Sequence, residues 1–83
     1  MKIFYFAWLR EKVGLREEEL TPPEDVRDVA SLLEWLKGRS PGHAEALKDP
    51  RMVRVAINQD YAAGNPPVGP EDEIALFPPV TGG

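Results

Sequence analysis

Cysteine is missing altogether: none of the 83 residues carries a thiol. That excludes disulfides, cysteine-ligated metals and thiol nucleophiles together. Histidine is nearly missing. His43 stands alone, cannot assemble a zinc site by itself, and reads as a surface or cap histidine, so no metal site is expected. Positive charge is in deficit, with 10 Lys and Arg against 14 Asp and Glu and a net charge of -4. A stripe of cations for phosphates is absent, which argues against nucleic-acid binding. No apolar run approaches the roughly 20 residues that cross a bilayer, so no membrane span is expected. Met1-Lys2 leads straight into Ile3-Phe4-Tyr5-Phe6 with no small-residue cleavage site. That reads as a buried strand, not a secretion signal, and a cytoplasmic location is the expectation. No Gly-x-x-x-x-Gly-Lys-[Ser/Thr] loop occurs, so this means of gripping ATP phosphates is not available.

What is present suits one small domain. A hydrophobic content of 42% is enough for a single core, with little room for a deep enclosed active site beside it. Residues 2–6 are β-branched and aromatic with no breaker, which predicts a strand. Ile3 and Tyr5 point to one face, Phe4 and Phe6 to the other. A short helix over 7–13 ends at Gly14. The acidic stretch 17–20 predicts a solvated edge strand, and Pro22-Pro23 ends it. The main helix spans 29–37, with Asp28 as N-cap, Val29, Leu32, Leu33 and Leu36 on one face, and Gly38 as a left-handed cap. Ser40-Pro41 opens a further short helix through Leu47. Strict alternation over 53–57 predicts a strand, 58–60 a turn, 61–63 a short returning strand, and 73–77 the last strand, with Ile74 and Leu76 on one face. Trp8 and Trp35 read as packing residues. The order implies an α+β domain with one main helix packed across a sheet.

The last two residues are Gly82-Gly83, preceded by Phe77-Pro78-Pro79-Val80-Thr81. Two residues without Cβ can thread a slot too narrow for any side chain. Pro78-Pro79 stiffens the base of that arm toward an extended form, and Val80 and Thr81 add side chains for contact. Six residues from Pro78 reach roughly 20 Å. The expected organisation is therefore a domain over 1–77 and an extended tail over 78–83.

Three stretches carry a resemblance: Phe6-Ala7-Trp8-Leu9-Arg10-Glu11, Val55-Ala56-Ile57-Asn58-Gln59, and residues 71–83. In this order they resemble the molybdopterin synthase small-subunit family of sulfur carriers. The terminal block is the most specific part, and Thr81 stands where many members have Ser. The resemblance implies a ubiquitin-like β-grasp fold with a mixed sheet of about five strands. It implies that sulfur is carried as a thiocarboxylate on Gly83, with Gly82 beside it. A bare carboxylate is a poor electrophile, so activation as an acyl-adenylate must come first. The ATP is then used by an adenylating, sulfur-loading partner enzyme, and no cofactor is bound by this chain. The other implied partner is a large catalytic subunit, in a heterotetramer of two small and two large chains.

If the first and last strands are neighbours, Phe4, Phe6, Ala75 and Phe77 form one apolar patch for that partner, continued by Pro78, Pro79, Val80 and Thr81. Arg10 is a candidate for an acidic partner group; pairing with Glu11 or another carboxylate of the chain is the competing reading. Other carriers, for thiamine, tRNA thiolation or cysteine synthesis, remain alternatives. So does a protein of a different class, a ubiquitin-like modifier or binding module.

Overall fold

The computed structural model describes residues 1–79. Its elements are β1 (Lys2–Tyr5), α1 (Ala7–Val13), β2 (Glu17–Glu19), α2 (Val29–Lys37), α3 (Pro41–Ala46), a single 3-10 turn (Pro50–Met52), β3 (Arg54–Ile57), β4 (Asp60–Tyr61) and β5 (Glu73–Phe77). The strands form one mixed sheet in the order β2-β1-β5-β3-β4. Only β1 and β5 run parallel, so the first and last strands lie side by side at its centre.

The main helix forms where the apolar spacing placed it. Asp28 accepts a hydrogen bond from the Ser31 backbone N–H at 2.8 Å, and Ser31 Oγ accepts one from the Asp28 N–H at 3.2 Å. This reciprocal box satisfies donors that the first turn leaves open. Val29, Leu32 and Leu36 are buried and Leu33 half-buried. They pack with Ile3, Tyr5, Leu9, Ile74 and Leu76 into one core. Trp8 and Trp35 pack half-buried against it, as expected.

Several boundaries differ from the sequence reading. Gly38 does not adopt a left-handed cap; its φ is -82°, and the helix closes through an Arg39 N–H to Leu36 carbonyl bond of 3.0 Å. The chain must turn at once into α3, and a tightened last turn does this without a left-handed residue. The left-handed cap occurs instead at Gly14, with φ 85°. Strand β1 stops at Tyr5, although the Phe6 N–H still bonds the Leu76 carbonyl at 3.0 Å. The return strand starts at Asp60, because Asn58 and Gln59 alone make the turn with φ of 51° and 72°. Two successive positive φ values match the right-handed twist of a two-residue hairpin.

The lone histidine is a larger correction. His43 is only 4% exposed. Its Nδ1 lies 2.7 Å from Ser40 Oγ and its Nε2 2.7 Å from Glu18 Oε2. Glu18 also accepts from the Tyr5 hydroxyl at 2.6 Å. The acidic run is therefore not uniformly solvated: Glu17 and Glu19 are exposed, while Glu18 turns inward and ties β2 to α3. Burial pushes the Glu18 carboxyl up, but hydrogen bonds from Tyr5 and His43 and the charges of His43 and Arg39 outweigh it and hold it below its usual value. A carboxyl depressed in the folded state contributes stability above its unfolded pKa of about 4.3, and that contribution is lost as pH falls through the folded value. Glu18→Ala, which leaves Tyr5 and His43 short of an acceptor, is expected to cost about 1–3 kcal/mol at neutral pH. Urea titrations of both proteins should show the gap narrowing in acid.

Helices α1 and α3 meet backbone to backbone at Gly42. A Cβ there would lie 2.3 Å from the Lys12 carbonyl oxygen. Main-chain atoms cannot swing aside as a flexible side chain can. Gly42→Ala is therefore expected to lower the unfolding free energy by about 1–3 kcal/mol, read as a lower urea midpoint at unchanged slope.

Candidate functional site

The parallel pairing of β1 with β5 builds the site. Phe4 stands opposite Ala75 and Tyr5 opposite Leu76. Ile3, Tyr5, Ile74 and Leu76 are buried on the helix side, so Phe4, Ala75 and Phe77 fall on the other face. All three are half-buried, and Phe6 just beyond the strand is 48% exposed. The expected apolar patch is thus brought together, and it sits where the chain leaves the sheet. Pro78 and Pro79 follow β5 without regular secondary structure. Val80, Thr81, Gly82 and Gly83 lie outside the described residues.

Sequence reasoning missed one residue of this surface. Tyr61 pairs across from Ala56, itself opposite Ala75, so it stands on the same outer face. Its ring lies 5.7 Å from that of Phe77, tilted by 52°, and it is 85% exposed. Its signal was available: with a turn of two residues, position 61 falls in register with position 56. A tyrosine this exposed beside Phe77 extends the patch across the sheet.

The rim is charged. Arg54 stands opposite Phe77 on β3. At the other end Lys2 Nζ lies 5.5 Å from the Phe4 ring and 3.1 Å from Glu17. The hydrogen bond and charge of Glu17 raise the Lys2 ammonium pKa above its usual value. Arg10 is exposed on α1. Among the described residues no carboxylate lies within 4.0 Å of it, so the internal pair with Glu11 does not form.

A cavity of about 620 Å³ lies elsewhere, between α2 and β3, lined by Leu33, Lys37, Val53 and Val55 among others. Among the described residues no group of three His, Asp or Glu side chains is placed to hold a metal ion, and no helix is long and apolar enough to cross a membrane.

Sheet order, the helix across one face and the aromatic patch at the root of the C-terminal segment define a ubiquitin-like β-grasp domain. The chain belongs to the ThiS family, whose sequence profile matches residues 3–83. It is 36% identical over 83 residues to the molybdopterin synthase sulfur carrier subunit of Escherichia coli, covering 100% of this chain and 99% of that one. It is 29% identical over 86 residues to the human protein of the same name, covering 100% and 93%. Among solved structures, a putative molybdopterin converting factor subunit 1 from Pyrococcus furiosus superposes with a TM-score of 0.76 at 32% identity, covering 95% of each chain. SAMP1 from Haloferax volcanii superposes with a TM-score of 0.73 at 32% identity, covering 100% and 98%.

Proposed function

We propose that this chain is the sulfur carrier subunit of a molybdopterin synthase and carries sulfur as a thiocarboxylate on Gly83. The observation that carries this reading is the end-to-end likeness to carrier subunits of that enzyme, with a family match that runs through Gly82 and Gly83. The aromatic face supports it, because it offers a docking surface where the segment that bears Gly83 leaves the sheet.

The chemistry follows from the carboxylate. Its oxygen attacks the α-phosphorus of ATP on an adenylating partner, and pyrophosphate leaves. A sulfide equivalent adds to the acyl carbon, AMP leaves, and the C-terminal group becomes a thiocarboxylate. The thiocarboxylate sulfur then adds to an electrophilic carbon of the precursor on the large subunit, and water cleaves the acyl C–S bond, leaving the sulfur on the precursor as a thiol and the carboxylate on Gly83. Residues 1–77 act as the grip and 78–83 as the arm. The arm enters a narrow channel in each partner in turn, and two small and two large subunits assemble in the cytoplasm.

Conversion of precursor to molybdopterin by the loaded chain with a large subunit tests the pathway. Loading without conversion would move the chain to another carrier role, in thiamine, tRNA thiolation or cysteine synthesis. A second reading, a protein modifier, is favoured by the likeness to a chain named small archaeal modifier protein 1, at 26% identity and a TM-score of 0.66. An isopeptide between Gly83 and a lysine would support it.

A further inference from the structure

The charges of this acidic chain are sorted by position. Five of the ten Lys and Arg side chains sit in ion pairs: Lys2 with Glu17, Lys37 with Glu34, Arg39 with Glu18, Lys48 with Glu45 and Arg51 with Asp49. Arg27 lies among Glu24, Asp25 and Asp28 and donates to the Glu24 carbonyl at 3.2 Å. The remaining four, Arg10, Lys12, Arg16 and Arg54, are exposed and have no ion pair within 4.0 Å among the described residues.

All four gather at the end of the sheet where β1 and β5 finish. Arg54 stands opposite Phe77, the last residue of β5. The Arg16 carbonyl accepts from the N–H of Tyr5, the last residue of β1, at 3.0 Å. Arg10 and Lys12 lie on α1, which starts directly after Phe6. Lys12 lines a small cavity with Trp8 and with Met52, two residues before Arg54; Glu45 and Asp49 line it too. The Lys48 hydrogen bond, helped by the Lys48 and Lys12 charges, lowers the Glu45 carboxyl pKa, although neither carboxylate comes within 4.0 Å of the Lys12 ammonium. The opposite end is acidic: Lys2 is in register with both Glu19 and Glu73, Glu71 and Asp72 lead into β5, and Asp60 stands opposite Ile57.

We infer that these four cations form a collar that docks against an acidic rim around the partner cleft that takes the tail. The inference rests on the proposed function and adds the chemistry of the partner surface. A chain of net charge -4 repels an acidic surface as a whole. With its free cations at one end, it meets that surface tail first, and the opposite end is turned away. Charges at an interface rim act mainly on the rate of encounter and on its salt dependence. The aromatic patch then supplies the short-range contact.

The test is stopped-flow association of the full chain with the large subunit, at about 20 mM and about 300 mM NaCl, where screening shortens from about 20 Å to under 10 Å. The association rate constant should fall about tenfold between the two. Arg10→Glu combined with Arg54→Glu should slow it about tenfold or more at low salt and remove most of the salt dependence. Arg10→Lys with Arg54→Lys should behave as the parent, since charge and not fork geometry is at work. Glu71→Gln, at the far end, should leave the rate within about twofold. Circular dichroism checks that each variant is folded. A rate that is flat or rising with salt overturns the collar, as does a charge-reversed pair as fast as the parent. So does a Glu71→Gln effect as large as that of the pair, which would mean that net charge alone matters. Absence of any binding overturns both the collar and the proposed function.

Discussion

Deleting Gly83, or changing Gly82→Val, is expected to abolish sulfur transfer while leaving unfolding within about 0.5 kcal/mol of the parent. Neither glycine has a side chain to bury, and among the described residues the largest fully buried side chains, Ile3, Tyr5, Leu9, Leu32, Leu36, Ile74 and Leu76, all precede the tail. The two changes fail for different reasons. Without Gly83 the reactive carboxylate is drawn back by one residue, about 3.5 Å, which takes the acyl carbon out of attack distance. In the Gly82→Val variant the arm keeps its length but would carry a β-branched side chain into the proposed channel, which on this reading admits none. Adenylation and transfer, measured separately with the two partners, should both fall below detection in each variant. Normal transfer by either would refute the threading argument.

Phe77→Asp should weaken binding of the large subunit by about 2–4 kcal/mol, roughly 30- to 1,000-fold in Kd, as loss of a central aromatic anchor does. Phe77 is half-buried, touches Tyr61 and forms the last step before the stiffened arm. A carboxylate there would also sit opposite Arg54 and offset part of the collar. The inner face of β5 is untouched, so titration calorimetry should show lost affinity while the thermal transition stays cooperative. Unfolding of the variant would mean that Phe77 belongs to the core and not to the docking face.

Most of the fold was legible because the periodicities are clean. Helical spacing from Val29 to Leu36 and the alternation Glu73-Ile74-Ala75-Leu76-Phe77 each admit one element type. The aromatic patch followed from parity once β1 and β5 were neighbours, and their parallel pairing bears that out. What escaped depends on tertiary contact. Nothing local marks Glu18 as different from Glu17 and Glu19; only the approach of α3 brings His43 within 2.7 Å of it. Nothing local tells whether Gly38 must be left-handed, because the direction of α3 decides it. Tyr61 was lost through a one-residue uncertainty in the hairpin turn, and a shift of one residue exchanges the faces of a strand. Arg10 was legible as a candidate, but its kinship with Lys12, Arg16 and Arg54 depends on which strand ends coincide.

The central claim is that the carboxylate of Gly83 is the atom group that gains sulfur. It is tested most directly by intact-protein mass spectrometry after incubation with the adenylating partner, ATP and a sulfide source. The expected result is a mass increase equal to one oxygen replaced by one sulfur, with fragmentation placing it on Gly83. An unchanged mass, with a partner shown to be competent on another carrier, would contradict it.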